Sequence, residues 1–107
     1  MQTHTQEGAV NVRLVQLEVL PGRPEANTRR MLDAVAQARA DGVALVAFPE
    51  LAVPGYLLGD MWDRPAFLRA CEACGERLRE ASQGIIVVFG NVAVSYTHLT
   101  LPTILRV

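Results

Sequence analysis

Apolar side chains fall into three short runs, and two longer stretches with helical spacing lie between them. Residues 10–19 carry Val12, Leu14, Val15, Leu17 and Val19 and are bounded by Pro21 and Gly22, which predicts a buried first strand. Pro24 suits the first turn of a helix, where its missing N–H would have no partner in any case. From there Met31, Leu32, Val35, Ala36 and Ala38 recur on one side, with Arg29, Arg30, Asp33, Gln37 and Arg39 on the other. Asp41-Gly42 closes this helix, because glycine accepts the left-handed conformation at a C-terminal cap.

Residues 43–48 (Val-Ala-Leu-Val-Ala-Phe) form a second, almost wholly apolar strand, a pattern that fits a sheet covered on both faces. Pro49 ends it, and residues 51–63 read as a loop punctuated by Pro54, Gly55 and Gly59. A second helix is predicted over residues 65–81 with Phe67, Leu68, Cys71, Cys74 and Leu78 inward, followed by a third apolar strand at 85–89 and then Gly90-Asn91. The order β-α-β-α-β predicts an α/β fold with neighbouring strands largely parallel and right-handed crossovers.

Residues 1–9 are polar and read as a flexible leader without the basic and apolar regions of a secretory signal. Residues 95–107 differ in character: threonine and leucine alternate, acids vanish and Pro102 interrupts the run. We read them as a non-native read-through tail, with a genuine edge strand as the alternative.

Composition narrows the classes. Half of the 107 residues are apolar and a fifth charged, which is the profile of one ordinary globular domain. A net charge of −1 gives no field that would draw nucleic acid or an anionic membrane. No apolar run reaches the roughly 20 residues of a spanning helix, so a cytoplasmic setting is expected. All ten basic residues are arginines, so this polypeptide cannot complete a mechanism that needs a lysine.

Glu50 is the leading candidate for chemistry. It follows an apolar strand and a proline, which places it at the carboxyl edge of the sheet, where open α/β sheets hold their ligands. Flanked by Phe48, Pro49, Leu51 and Ala52, its carboxylate is expected to be partly desolvated and so a better proton acceptor. On position alone, a solvated loop glutamate is at least as good a reading. Cys71 and Cys74 make a Cys-x-x-Cys pair, a spacing seen in zinc and thiol–disulfide sites. A structural zinc needs four ligands, and His4 and His98 lie in the leader and the tail, so no metal site is predicted. On an apolar helix face both thiols read as core filler.

Phe48-Pro49-Glu50-Leu51 followed by Gly55-Tyr56 resembles the signature of the nitrilase (carbon–nitrogen hydrolase) superfamily. Gln16 late in the first strand and Asn27 early in the first helix also fall where that family's pattern has them. Residues 50–56 and Asp60 are most similar to the N-terminal glutaminase domains of glutamine-hydrolysing NAD synthetases, although Pro54, Leu57 and Gly59 depart from that branch.

The resemblance implies that residues 10–94 are a partial domain, the N-terminal portion of a four-layer αββα nitrilase-type sandwich. It implies a glutamate–lysine–cysteine triad with Glu50 as general base and Tyr56 lining the substrate pocket. The substrate implied is a small-molecule amide, glutamine in the synthetase branch, and the parent is expected to be a homo-oligomeric enzyme. No cofactor is expected in this segment; ATP would belong to the synthetase part of the parent. Lacking the triad lysine and cysteine, the 107-residue chain is expected to be inactive alone.

Two alternatives remain at this stage: another amidase of the same superfamily, and a nucleotide-binding module of Rossmann or flavodoxin type, which shares the β-α-β-α-β order. Against the second, the turn after the first strand (Leu20-Pro21-Gly22-Arg23-Pro24) has prolines where a phosphate would need amide donors.

Overall fold

The computed structural model describes residues 9–55 and 64–91, together with the backbone of 104–106. Three strands and two helices alternate: β1 (Val12–Leu14), α1 (Pro24–Ala40), β2 (Leu45–Ala47), α2 (Pro65–Ala81) and β3 (Ile86–Phe89). Both helices start on a proline, as the missing N–H permits, and neither has a side-chain cap. Gly42, just past the end of α1, takes the left-handed conformation with φ 76°. All of the expected leader except Ala9 lies outside the described residues. Of the 95–107 stretch, Ile104–Arg106 forms β4 and pairs with β3.

The strands lie in the order β1-β2-β3-β4, every neighbouring pair parallel. Two successive right-handed crossovers moving in one direction along a sheet deliver both helices to the same face, and α1 and α2 indeed pack against each other. The core fills the layer between them and the sheet. Met31, Val35 and Ala38 of α1 and Phe67, Cys71, Cys74 and Leu78 of α2 meet Val46, Val87 and Phe89 of the strands. In the register, Val46 lies beside Val87, so the two form one buried row under the helices. Among the described residues no helix is long and apolar enough to cross a membrane.

The other face of the sheet departs from the expectation of cover on both sides. Rows Val12–Leu45–Ile86 and Leu14–Ala47–Val88 lie in register there. Val12 is 48% exposed, Leu14 67% and Ile86 41%. With both helices on one side, no described element is left to cover the other. Parallel sheets are normally buried on both faces, so this one is half of a layered arrangement, as the portion of a nitrilase-type sandwich should be.

Polar ties secure the amino edge of the sheet. Arg13 of β1 pairs with Asp41 behind α1 at 3.0 Å. That guanidinium acts with a hydrogen bond from Gln37, the larger influence, to hold the Asp41 carboxyl below its ordinary range. Arg39 reaches from α1 to the end of α2, donating to the carbonyls of Ala81 and Gln83 and so capping groups that the helix leaves without partners.

Candidate active site

Parallel strands put their outgoing loops together at one edge. The segments after β1, β2 and β3 converge at the carboxyl edge and are tied by hydrogen bonds among themselves. The Gly22 amide donates to the Pro54 carbonyl at 2.9 Å, and the Val53 amide to the Gly90 carbonyl at 3.3 Å. Glu50 opens the turn that follows β2, at the centre of this meeting point. Its placement at the strand-end edge agrees with the reading of the sequence.

Its degree of burial does not. Phe48 and Ala52, expected to desolvate the carboxylate, are buried in the core, whereas Glu50 itself is exposed. The chain leaves β2, buries Phe48 with its amide donating to the Val88 carbonyl at 2.9 Å, and then turns outward at Glu50 before Ala52 re-enters the core. Residues adjacent in sequence thus point to opposite sides of the turn.

The turn is tightly specified. Leu51 adopts φ 52°, the left-handed region that a leucine enters at a cost of roughly 1–2 kcal/mol. The Gly55 amide donates to the Leu51 carbonyl at 2.8 Å and closes the turn. Gly55 is itself left-handed at φ 75°, and a β-carbon there would stand 2.6 Å from the Leu20 carbonyl oxygen and 2.8 Å from the Pro21 Cα. Only glycine allows this approach of the two loops.

Asn27 locks the same pair of loops from beneath. Its side chain is 2% exposed; Oδ1 accepts from the Leu20 amide at 2.8 Å, while Nδ2 donates to the carbonyls of Leu20 at 2.8 Å and Val53 at 3.0 Å. This orientation of the amide is fixed by the network, since the reverse would set Oδ1 against two carbonyl oxygens. Sequence reading found Asn27 only as a family match. A polar residue in the first turn of an otherwise apolar-faced helix was the available signal, and its partners 7 and 26 residues away were invisible.

Tyr56 and Asp60 lie outside the described residues, as do His4 and His98. Cys71 and Cys74 are free, buried thiols on the core face of α2. Burial, reinforced by the neighbouring Cys74 thiol and then by Glu25, pushes Cys71 up to about 12, so it remains a protonated, unreactive thiol. Among the described residues no group of three or more His, Cys, Asp or Glu is placed to hold a metal ion. Neither cysteine is set up as a nucleophile.

What the arrangement does is present the Glu50 carboxylate at the strand-end edge on a braced turn. The carbon–nitrogen hydrolase family profile matches residues 11–96; the chain belongs to the carbon–nitrogen hydrolase family, whose members include nitrilases and their related amidases.

The chain is 34% identical over 91 residues to a glutamine-dependent NAD(+) synthetase of Xanthomonas campestris, covering 84% of this chain and 16% of the synthetase. An arylacetonitrilase of Aspergillus niger is 38% identical over 60 residues, 56% of this chain and 18% of the nitrilase. The crystal structure of an amidase from Nesterenkonia sp. superposes with a TM-score of 0.62 at 29% identity, over 71% of this chain and 29% of the amidase. The chain therefore spans less than a fifth of the length of these curated relatives.

Proposed function

We propose that this chain is part of a glutaminase domain, hydrolysing the side-chain amide of glutamine and supplying the ammonia to a synthetase domain that makes NAD. The observation that carries the reading is Glu50: a carboxylate in the Phe-Pro-Glu sequence, presented at the strand-end edge by a turn clamped between two loops. Similarity to glutamine-dependent NAD(+) synthetases supports the choice of amide.

In this mechanism Glu50 accepts the proton of a cysteine thiol as the sulfur attacks the amide carbonyl. A lysine ammonium stabilises the oxyanion of the tetrahedral intermediate. Glu50 then returns its proton to the departing nitrogen, ammonia leaves, and a thioester remains. Water, deprotonated by Glu50, hydrolyses that thioester to glutamate and free thiol. The 107 residues contain no lysine, and both cysteines are buried on α2, so the two partner groups come from other sequence of the full-length protein. Tyr56, six residues after Glu50, lines the amide pocket in this proposal. No cofactor is required by these steps; ATP would be consumed by the synthetase domain.

Similarity to an amidase and an arylacetonitrilase favours a second reading, an amidase of the same family with a different substrate. The test is ammonia release by the full-length protein from glutamine, asparagine, short aliphatic amides and an arylacetonitrile. Glutamine should be hydrolysed fastest, with Glu50→Gln lowering the rate by about 10² to 10⁴ and the isolated 107-residue chain inactive. Faster turnover of a nitrile or aliphatic amide would favour the second reading, and an undiminished rate in Glu50→Gln would remove Glu50 from both.

A further inference from the structure

The end of β3 abuts the Glu50 turn. Gly90 is buried, and its conformation is not one that demands glycine; what demands glycine is space. A β-carbon at position 90 would overlap the Leu51 amide nitrogen and stand 3.2 Å from both the Glu50 carbonyl carbon and the Leu51 Cα. The Gly90 carbonyl meanwhile accepts from the Val53 amide at 3.3 Å, so the glycine touches the turn at both of its ends.

Gly90 is in turn anchored. The next residue, Asn91, is 7% exposed and donates from Nδ2 to the Cys71 carbonyl in the middle of α2 at 2.9 Å. Gly75 on α2 makes room for it, since a β-carbon there would sit 2.7 Å from the Asn91 Nδ2. A continuous line of contacts thus runs from α2 through Asn91 and Gly90 to the peptide that joins Glu50 to Leu51. The left-handed Leu51, unfavourable by itself, is the kind of backbone state that persists only where surroundings over-determine it.

We infer that Gly90 is a positioning residue for Glu50: it lets the end of β3 abut the Glu50–Leu51 peptide and thereby fixes where the carboxylate stands. The inference rests on the reading of Glu50 as the general base. An alanine at 90 forces the peptide back by about 1 Å to restore ordinary contact, and a displacement of that size costs about 10²-fold in rate when the reacting groups must be aligned.

The experiment is a double-mutant cycle in the full-length protein, following glutamine hydrolysis. Gly90→Ala should lower kcat by about 10²-fold and leave KM within about threefold. In the Glu50→Gln background the same substitution should cost nothing further, because its effect passes through the carboxylate. A general loosening of the fold would lower activity by the same factor in both backgrounds, and that result overturns the inference. So does a Gly90→Ala enzyme with unchanged kcat.

If Gly90→Ala does not fold, Asn91→Asp takes its place, since it keeps the shape and removes the donor to Cys71. A loss of about tenfold that vanishes in Glu50→Gln supports the inference; no loss, or an equal loss in both backgrounds, refutes it. Full activity in Glu50→Gln alone defeats the catalytic reading and this inference together, whereas a crippled Glu50→Gln with an indifferent Gly90→Ala defeats the inference only.

Discussion

Replacing Asn27 by leucine keeps the number and branching of side-chain heavy atoms and deletes three hydrogen bonds at once. The Val53 carbonyl loses a fully buried donor, while the Leu20 amide and carbonyl lose partners in a partly buried setting where water can compensate in part. A buried polar group left without a partner costs about 1–3 kcal/mol. The expected loss is therefore about 2–5 kcal/mol, in the upper tail for a single substitution.

Asn27→Asp separates the contributions. One carboxylate oxygen still accepts from the Leu20 amide, but the other faces two carbonyl oxygens, which favours the protonated acid in the folded state. Its folded pKa then lies above the unfolded value of about 3.9, so the variant is closest to the parent near pH 4 and loses stability as the pH rises. Urea unfolding of the full domain at pH 4.5 and 7.5, with hydrogen exchange of the Leu20 amide, measures both effects. A leucine variant within about 0.5 kcal/mol of the parent, or an aspartate variant whose deficit is independent of pH, would refute the clamp.

Gly55→Ala should lower stability by more than about 2 kcal/mol, because the β-carbon meets the Leu20 carbonyl at 2.6 Å in a left-handed residue; an unchanged urea midpoint would contradict this. Cys71 and Cys74 should resist iodoacetamide at pH 8.5 until the domain is opened with urea, and rapid labelling of the folded protein would show that the core assignment is wrong. With the folded Cys71 thiol at about 12 against an ordinary 9.0, the stability it contributes is intact below pH 9 and declines between pH 9 and 12. Cys71→Ala should flatten that alkaline decline.

Much of the scaffold was legible because its signals are local. Pro24 and Pro65 start the helices, Gly42 ends the first, and the inward positions Met31, Val35, Ala38, Cys71, Cys74 and Leu78 follow from helical spacing alone. The position of Glu50 at the sheet edge was legible too, since it needs only strand polarity and a proline. Its exposure was not, because Phe48 and Ala52 flank it in sequence yet turn away from it into the core. The roles of Asn27 and Gly90 depend on carbonyls and peptides in other loops, and a single sequence shows Gly90 only as a turn signal. Apolar runs suggested a sheet covered twice. The open Val12, Leu14 and Ile86 show that no described element supplies the second cover.

The two edges of the sheet are fastened by different chemistry, and this bears on how the site can be tested. At the amino edge the ties use charged side chains: the Arg13–Asp41 ion pair, and Arg39 donating to backbone carbonyls at the end of α2. At the carboxyl edge the ties described around the Glu50 turn are amides and carbonyls: Asn27 with Leu20 and Val53, Gly22 with Pro54, Val53 with Gly90, Asn91 with Cys71. Arg30 donates to the Glu18 carbonyl nearby. The amides and carbonyls of this edge do not titrate between about pH 4 and pH 10. The brace on Glu50 therefore keeps its geometry across the range in which amide hydrolysis would be assayed. A limb in the pH profile within that range then reports the reacting groups themselves. Loss of the Arg13–Asp41 pair in acid acts at the far edge, where it weakens the fold before it moves the turn.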